Sequence, residues 1–261
     1  MKRPSRLDYA YAVGRVRVLE RHLVSRPVFR EAAEEKDLAG VLKMIFDAGK
    51  FHEERIDIKE SEELDAFLDR EEESLMRTVS EIMLENNILG VVRSENQPEQ
   101  ALALTKNIGY PFIRDYVRHR IDLGNLKMLV RMKYLDFPEE KYAKAVLKGG
   151  FLEERLFLES YNTSFAEIAD RLYPTPYQDV WNKATEALLA RETFIELERG
   201  FEDFLMRYLR KARQIVFGPE PVFAYALARK REINLTRILG VGKLNGLPPA
   251  IIKKRISETY V

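Results

Sequence analysis

Apolar side chains in this chain recur at the spacing of helices with one buried face. Tyr9, Val13, Val16 and Leu23, with Ala12 and Leu19 beside them, follow the i, i+3, i+4, i+7 rule, while Arg15, Arg17 and Arg21 fall on the wet side. Asp8 stands where a cap would open that helix. The pattern returns in Leu38, Val41, Leu42 and Ile45, and again in Leu64, Phe67, Leu68, Leu75, Val79 and Ile82, with Glu71, Glu72 and Glu73 on the open face. Further runs are Phe112, Tyr116, Leu123, Leu126 and Leu129, then Phe165, Ile168 and Leu172, then Val180, Ala184, Leu188, Ile195, Phe201, Leu205 and Leu209. Alternation with a period of two is confined to Arg55-Ile56-Asp57-Ile58, within residues 54–59. The pattern predicts an all-α protein.

Glycine and proline punctuate these runs at Gly90, Gln97-Pro98, Asn107 to Pro111, Gly149-Gly150, Tyr173 to Tyr177 and Phe217 to Pro221. There is also an internal echo. Ala10 to Leu19 matches Ala224 to Ile233 at five of ten positions. Arg120-Ile121-Asp122-Leu123-Gly124-Asn125-Leu126, leading to Phe137-Pro138, parallels Glu232-Ile233-Asn234-Leu235-Thr236-Arg237-Ile238, leading to Leu247-Pro248. The offsets are 112 at the isoleucines and 110 at the prolines, so the comparison calls for a two-residue gap. The unit implied is a helix, a turn, and a second helix opened by proline, the kind that packs side by side with its copies. It predicts helical units at 1–109 and 110–218, and a helix–turn–helix at 219–261 packing with the N-terminal helix.

Composition narrows the chemistry. The 261 residues are 46% apolar and 33% charged, enough for a sizeable core. Cysteine is absent, which excludes disulfides, thiolate metal sites and a cysteine nucleophile. The three histidines, His22, His52 and His119, are too scattered to suggest a multi-histidine metal site. The longest uncharged stretches, such as Pro221 to Ala228, fall well under half of the roughly 20 residues a membrane-spanning helix needs. The first residues are basic without an apolar run behind them, so no signal peptide is expected.

A net charge of +1 hides an uneven distribution. Residues 205–261 carry +9, and Glu31 to Glu99 carries −12. Opposite poles on a neutral molecule would suit a piece held between two differently charged neighbours; a set of ordinary charged helix surfaces is the alternative.

No motif supplies a self-contained active site. Gly240-Val241-Gly242-Lys243 lacks the spacer and the Ser or Thr of a phosphate loop, and reads as a helix C-terminal turn. Adjacent glutamates such as Glu62-Glu63 and Glu71 to Glu73 point about 100° apart on a helix and read as solvated surface. His119 between Arg118 and Arg120 reads as a surface or interface base, and Trp181, Tyr173 and Tyr177 as core and turn packing. Arg207, Arg210, Lys211 and Arg213, then Arg229 to Arg231, then Lys253 to Arg255 form basic clusters suited to phosphates or to an acidic protein.

Several of these segments carry a family resemblance. Pro219 to Arg229, Ile233 to Leu239 and Gly242 to Pro248 resemble the C-terminal signature of the C subunits of archaeal and bacterial V/A-type rotary ATPases, a family that includes the d subunits of the eukaryotic vacuolar ATPases. Asp8 to Ala12 with Arg15 to Arg17 resembles its first helix, and Asp122 to Leu126, Lys148 to Gly150 and Thr175 to Tyr177 resemble its central motifs. The resemblance implies an all-α, funnel-like assembly of repeated helical units and a non-catalytic role without cofactor or metal. Its partners would be the central-shaft subunits and the cytoplasmic face of the membrane proteolipid ring. It would lie on the cytoplasmic face as part of the complex, without spanning the membrane or binding nucleic acid. Torque would pass through it between ATP chemistry and proton or sodium transport. Typical members are longer and hold two Asp-x-x-Asn-Leu helices, whereas this chain holds one, at Asp122 to Leu126, so a unit is expected to be reduced or missing. Arg15, Arg17, Arg118, Arg229 and Arg231, which recur near unit starts, are the candidate partner-binding residues. Pairing with acidic neighbours on adjacent helices is their alternative role. The alternative for the whole chain is a free-standing helical scaffold or adaptor that binds anionic partners through the basic C-terminal region.

Overall fold

The computed structural model describes residues 4–49 and 58–261. Its helices are, in order, α1 (Ala10–Leu19), α2 (Arg26–Ala32), α3 (Leu38–Gly49), α4 (Ser61–Ile82), α5 (Asn86–Arg93), α6 (Pro98–Thr105) and α7 (Pro111–Tyr134). They continue as α8 (Glu139–Ala145), α9 (Glu154–Ser160), α10 (Phe165–Arg171), α11 (Gln178–Arg191), α12 (Ile195–Arg210), α13 (Glu220–Leu244) and α14 (Pro249–Arg255). No strand occurs among the described residues, and the fold is all-α. Positions 54–57 of the strand candidate lie outside the described residues.

Two compact units form, one from residues 1–92 with 206–261 and the other from residues 93–205. In the first, α13 is the central element, packed along α4 and against α3, α2 and α1. Its N-terminal half explains that position. Every residue from Glu220 to Ala228 is buried, and a helix apolar on all sides must be surrounded. Val24, Phe29, Val41, Ile45, Leu235, Leu239, Ile252 and Ile256 build one continuous core around it. Gly240 and Gly242 are part of this packing and lie inside α13. The glycine-rich stretch is the last turn of α13, as expected, but its glycines serve packing, and the left-handed residue that ends the helix is Gly246. A Cβ on Gly240 would come within 2.4 Å of Leu64, and one on Gly242 within 2.9 Å of Ile252. In the second unit α7 is the long element, contacting α6, α8 and α9, while α10 packs on α11.

The internal echo has a structural counterpart, and it removes the gap. At a constant offset of 110, Pro111 matches Pro221, Asp122 matches Glu232, and Pro138 matches Pro248. Both long helices end in the same Schellman turn: Phe137 N–H bonds Met132 O and Leu247 N–H bonds Gly242 O, each at 2.9 Å. The left-handed residue is Asp136 (φ 53°) in one and Gly246 (φ 65°) in the other. A seven-residue helix follows each turn, ending in the extended residues Val146 and Ile256. The isoleucine comparison misleads because it aligns composition rather than the buried acid that each helix carries. Asp136 bears a Cβ in a conformation glycine tolerates better. Asp136→Gly should therefore raise stability by about 0.5 kcal/mol, and Gly246→Ala should lower it by about 1 kcal/mol, read from thermal melts.

Local expectations shift at four places. Ser5, not Asp8, caps the first turn; the Asp8 carboxylate accepts from Ser5 N–H at 2.7 Å. Gly90 lies inside α5, and the break falls at 83–85. The run from Val180 to Leu209 is divided at Glu192, whose left-handed backbone (φ 50°) ends α11. Tyr173 is exposed, whereas Trp181 and Tyr177 are buried.

Candidate functional site

The strongest constellation is a buried carboxylate at the same position of each long helix. On α7, Asp122 is fully buried. Its carboxylate accepts from Phe151 N–H at 2.8 Å, Leu152 N–H at 3.2 Å and Tyr177 Oη–H at 2.7 Å. Burial raises its pKa, and these donors together with Arg118 pull it back down. Tyr177 is pushed upward by burial and by the Asp122 charge. His119 Nδ1 lies 2.7 Å from Tyr177 Oη, and its ring contacts those of Phe151 and Phe204. One turn further along α7, Asn125 exchanges two hydrogen bonds with the backbone of Leu147. Three sequence motifs therefore converge on one clamp: the Asp122 to Leu126 turn, the Gly149-Gly150 bend and the Thr175-Pro176-Tyr177 turn. Gly150 is required for want of space, because a Cβ there would sit 1.9 Å from Asp122 Oδ1. The readable signal was Asp and Asn at i and i+3 on the apolar face of a helix.

On α13 the equivalent acid is Glu232, 3% exposed. It accepts from Val24 N–H at 2.6 Å and from Arg229 at 2.8 Å. Burial, the dominant influence, pushes it up to about 7 against the pull of Arg229 and Val24 N–H. It borders a small cleft shared with Ile45, Phe67, Leu68, Glu71 and Arg229.

The candidate arginines are all engaged within their own units. Arg15 pairs with Glu81 at 3.0 Å on the surface. Arg17 binds Glu20 and the carbonyls of Ala212, Arg213 and Ile215. Arg118 donates to Gly150 O and lies 4.0 Å over the Phe151 ring. Arg229 bridges Glu232 and Glu71, and Arg231 donates to Ser257 Oγ. Arg15, Arg17, Arg229 and Arg231 share the first unit, with Arg118 in the second. Each links its own helix to another part of the same unit.

The charge asymmetry has an internal explanation as well. Asp65 and Asp69 of α4 pair with Arg237 of α13, while Glu71 and Glu72 pair with Arg229 and Lys230. The spacing from Asp65 to Glu72 equals that from Lys230 to Arg237, two helical turns on each, so the antiparallel helices meet in register. Acidic and basic segments thus face each other inside one unit, not as opposite poles. Glu71 and Glu72 belong to this seam and not to a solvated face. The half-exposed pairs of Arg237 contribute little individually, about 0–1 kcal/mol, and act mainly to fix register, whereas Arg229 and Lys230 are largely buried.

Among the described residues, no group of three or more His, Cys, Asp or Glu side chains is placed to hold a metal ion, and no helix is long and apolar enough to cross a membrane. The clamp residues are bonded to one another and to backbone, which is the arrangement of a structural tie.

Comparison with known proteins places this architecture. The ATP synthase (C/AC39) subunit family matches residues 98–255, a stretch that holds both long helices with their turns and short helices. The C subunit of the V-type sodium ATPase of Enterococcus hirae is 22% identical over 157 residues, covering 60% of this chain and 47% of that protein. The C subunit of the A-type ATP synthase of Haloferax volcanii is 25% identical over 146 residues, 55% of this chain and 41% of that protein. The C subunit of the V-type ATP synthase of Thermus thermophilus is 24% identical over 158 residues, 60% and 46%. The chain thus spans about half the length of the curated relatives it matches. With the family covering well over half of its residues, the chain belongs to the ATP synthase (C/AC39) subunit family.

Proposed function

We propose that this chain is a non-catalytic central-stalk subunit of a V/A-type ATPase or ATP synthase. In this reading it is a socket that joins the rotating shaft to the membrane proteolipid ring and passes torque between ATP chemistry and proton or sodium transport. The observation that carries the proposal is the family match over 98–255, which contains both copies of the long helix, Schellman turn and short helix. The relatives, all C subunits of V-type or A-type enzymes, support the same reading. The buried carboxylates support it physically. Asp122 and Glu232 spend their lone pairs holding loops to helices, as a part that transmits load requires. Division into helical units at 1–109, 110–218 and 219–261 belongs to the same proposal. The common offset of 110 supports equivalence of the second and third.

The candidate arginines differ in what their substitution would report. Reversing Arg229 would strand the buried Glu232, so lost capture would reflect unfolding; Arg15 is the usable probe, its side chain being 37% exposed. Purified chain mixed with the shaft subunit of the same organism's rotary ATPase should co-elute on gel filtration. Arg15→Glu should weaken that association about tenfold, as expected for a charge at an interface rim, without changing the melting temperature appreciably. Separate elution of the wild-type chain and shaft, with salt-sensitive binding to RNA or anionic vesicles instead, would favour the adaptor reading.

A further inference from the structure

Asp122, Tyr177 and His119 are joined by two hydrogen bonds that share one phenol, and the number of protons fixes their direction. Tyr177 Oη lies 2.7 Å from Asp122 Oδ2 and 2.7 Å from His119 Nδ1. A phenol has one proton to give, and an ionised carboxylate can only accept. Tyr177 therefore donates to Asp122 and accepts from His119, which must carry its hydrogen on Nδ1. Tyr177 keeps its own proton throughout, because burial and the Asp122 charge push its ionisation far upward. Free histidine favours hydrogen on Nε2, but the bond made by one ring nitrogen decides the state of the other. In His119 the nitrogen that takes up a proton is thus Nε2, and uptake places a cation two hydrogen bonds from a buried carboxylate.

The clamp needs such a cation as pH falls. Asp122 serves three donors only while ionised, and its burial favours the neutral form. Ordinary values put the charging of a histidine, at about 6.5, well before the protonation of an aspartate, at about 3.9. Asp122 and Tyr177 are buried and His119 is only half-buried, so a proton reaches the ring without passing through the clamp. The other charged groups around the ring are Asp115 and Arg118 on α7, and Glu202 and Asp203 beside Phe204 on α12. Asp115 lies against Arg114, and Glu202 acts on Tyr116 and Arg120. Arg118 is held by Gly150 O and the Phe151 ring, and pulls on Asp122 less than the three hydrogen bonds do. Residues 149–152 and 173–177 add no charged group.

We infer that His119 guards the Asp122 clamp against acid: held in its Nδ1–H form by Tyr177, it takes up a proton as pH falls and, as a cation, keeps the carboxylate ionised and bonded to its donors. A charged donor strengthens the bond it makes, and hydrogen bonds in series polarise one another. All three side chains lie within the unit formed by residues 93–205, so the guard operates whether or not the rotary reading holds.

The test uses the full chain labelled with nitrogen-15. At about pH 8 the ring spectrum should show His119 with its hydrogen on Nδ1, and Tyr177→Phe should shift it toward the Nε2–H form. With three histidines in the chain, His119→Asn identifies the signals. The amide signals of Phe151 and Leu152, which donate to the carboxylate, then report its protonation as pH is lowered from about 7 to about 3. His119→Asn leaves a side-chain N–H for Tyr177 and removes the titrating charge. It should raise the midpoint of that transition by about one pH unit, a tenfold change in the ionisation of Asp122, with the melting temperature at neutral pH near wild type. In a Tyr177→Phe background the same substitution should move the midpoint by less than about half as much, because the ring is no longer tied to the carboxylate. A wild-type ring with hydrogen on Nε2 at pH 8, or a midpoint that His119→Asn leaves unchanged, overturns the inference. So does an equal shift in the Tyr177→Phe background, which would make the histidine act by its charge alone.

Discussion

Asp122→Ala should destabilise the unit formed by residues 93–205 by about 3 kcal/mol, because it leaves two partly buried backbone N–H groups without an acceptor and takes from Tyr177 its carboxylate partner. Gly150→Ala should approach the same loss, since its Cβ would lie 1.9 Å from Asp122 Oδ1 and displace the carboxylate from its donors. The two effects should not add. Once Asp122 is alanine, the atom that Gly150→Ala strikes is gone, so the double variant should be little worse than Asp122→Ala alone. Asp122→Asn retains one acceptor oxygen but turns an amide toward donors, and should fall between wild type and alanine. Urea unfolding measures each corner of the cycle, and exchange protection at the Phe151 and Leu152 amides reports the clamp directly. A Gly150→Ala protein within about 0.5 kcal/mol of wild type would show that these bonds do not hold the unit together.

The second large effect is a pH dependence set by Glu232. Its carboxyl titrates near 7 in the folded protein, against an ordinary value of 4.5. The unfolded chain therefore gives up this proton first as pH rises, and between about 4.5 and 7 the folded state holds more of it. Stability contributed by the protonated acid is complete below about 4.5, falls through that window, and is level above about 7; the span is roughly 3 kcal/mol. Glu232→Gln keeps an oxygen for Val24 N–H and carries no charge to bury. Its stability relative to wild type should be near zero at about pH 4.5 and rise to as much as roughly 3 kcal/mol at about pH 8. Glu232→Ala should instead destabilise at every pH, leaving Val24 N–H unpaired. The comparison is between variant and wild type at each pH, so other carboxyls cancel, including Asp122, which is raised like Glu232, and Glu258, which Arg210 and Arg26 lower. A difference that stays constant across the window would remove Glu232 as its source.

Helix content and most helix positions were legible because they depend on short-range periodicity. Leu64, Leu68, Leu75, Val79 and Ile82 are all buried on one face of α4, as their spacing predicts. Breaks were less legible where a glycine serves packing instead of a turn. Gly90, Gly240 and Gly242 all lie inside helices, and at Gly240 and Gly242 the reason is a neighbouring Leu64 or Ile252 that no local rule reveals. The clamp was half-visible. Its three motifs were each noticeable, yet only folding brings residues 122, 150 and 177 to one carboxylate.

Charge shows the same division most clearly. The sequence alone determined that residues 205–261 are basic and Glu31 to Glu99 acidic, that the chain is helical, and that two of its segments echo each other. Tertiary structure decided what these properties do. It sets Arg229, Lys230 and Arg237 against Glu71, Glu72, Asp65 and Asp69 across α4 and α13, and it aligns the repeat through the buried acids Asp122 and Glu232. Periodicity is a property of neighbours within two helical turns, and the chain states it directly. Which charge meets which, and which donors close on Asp122, depends on residues far apart in sequence, whose distances exist only after the helices have packed.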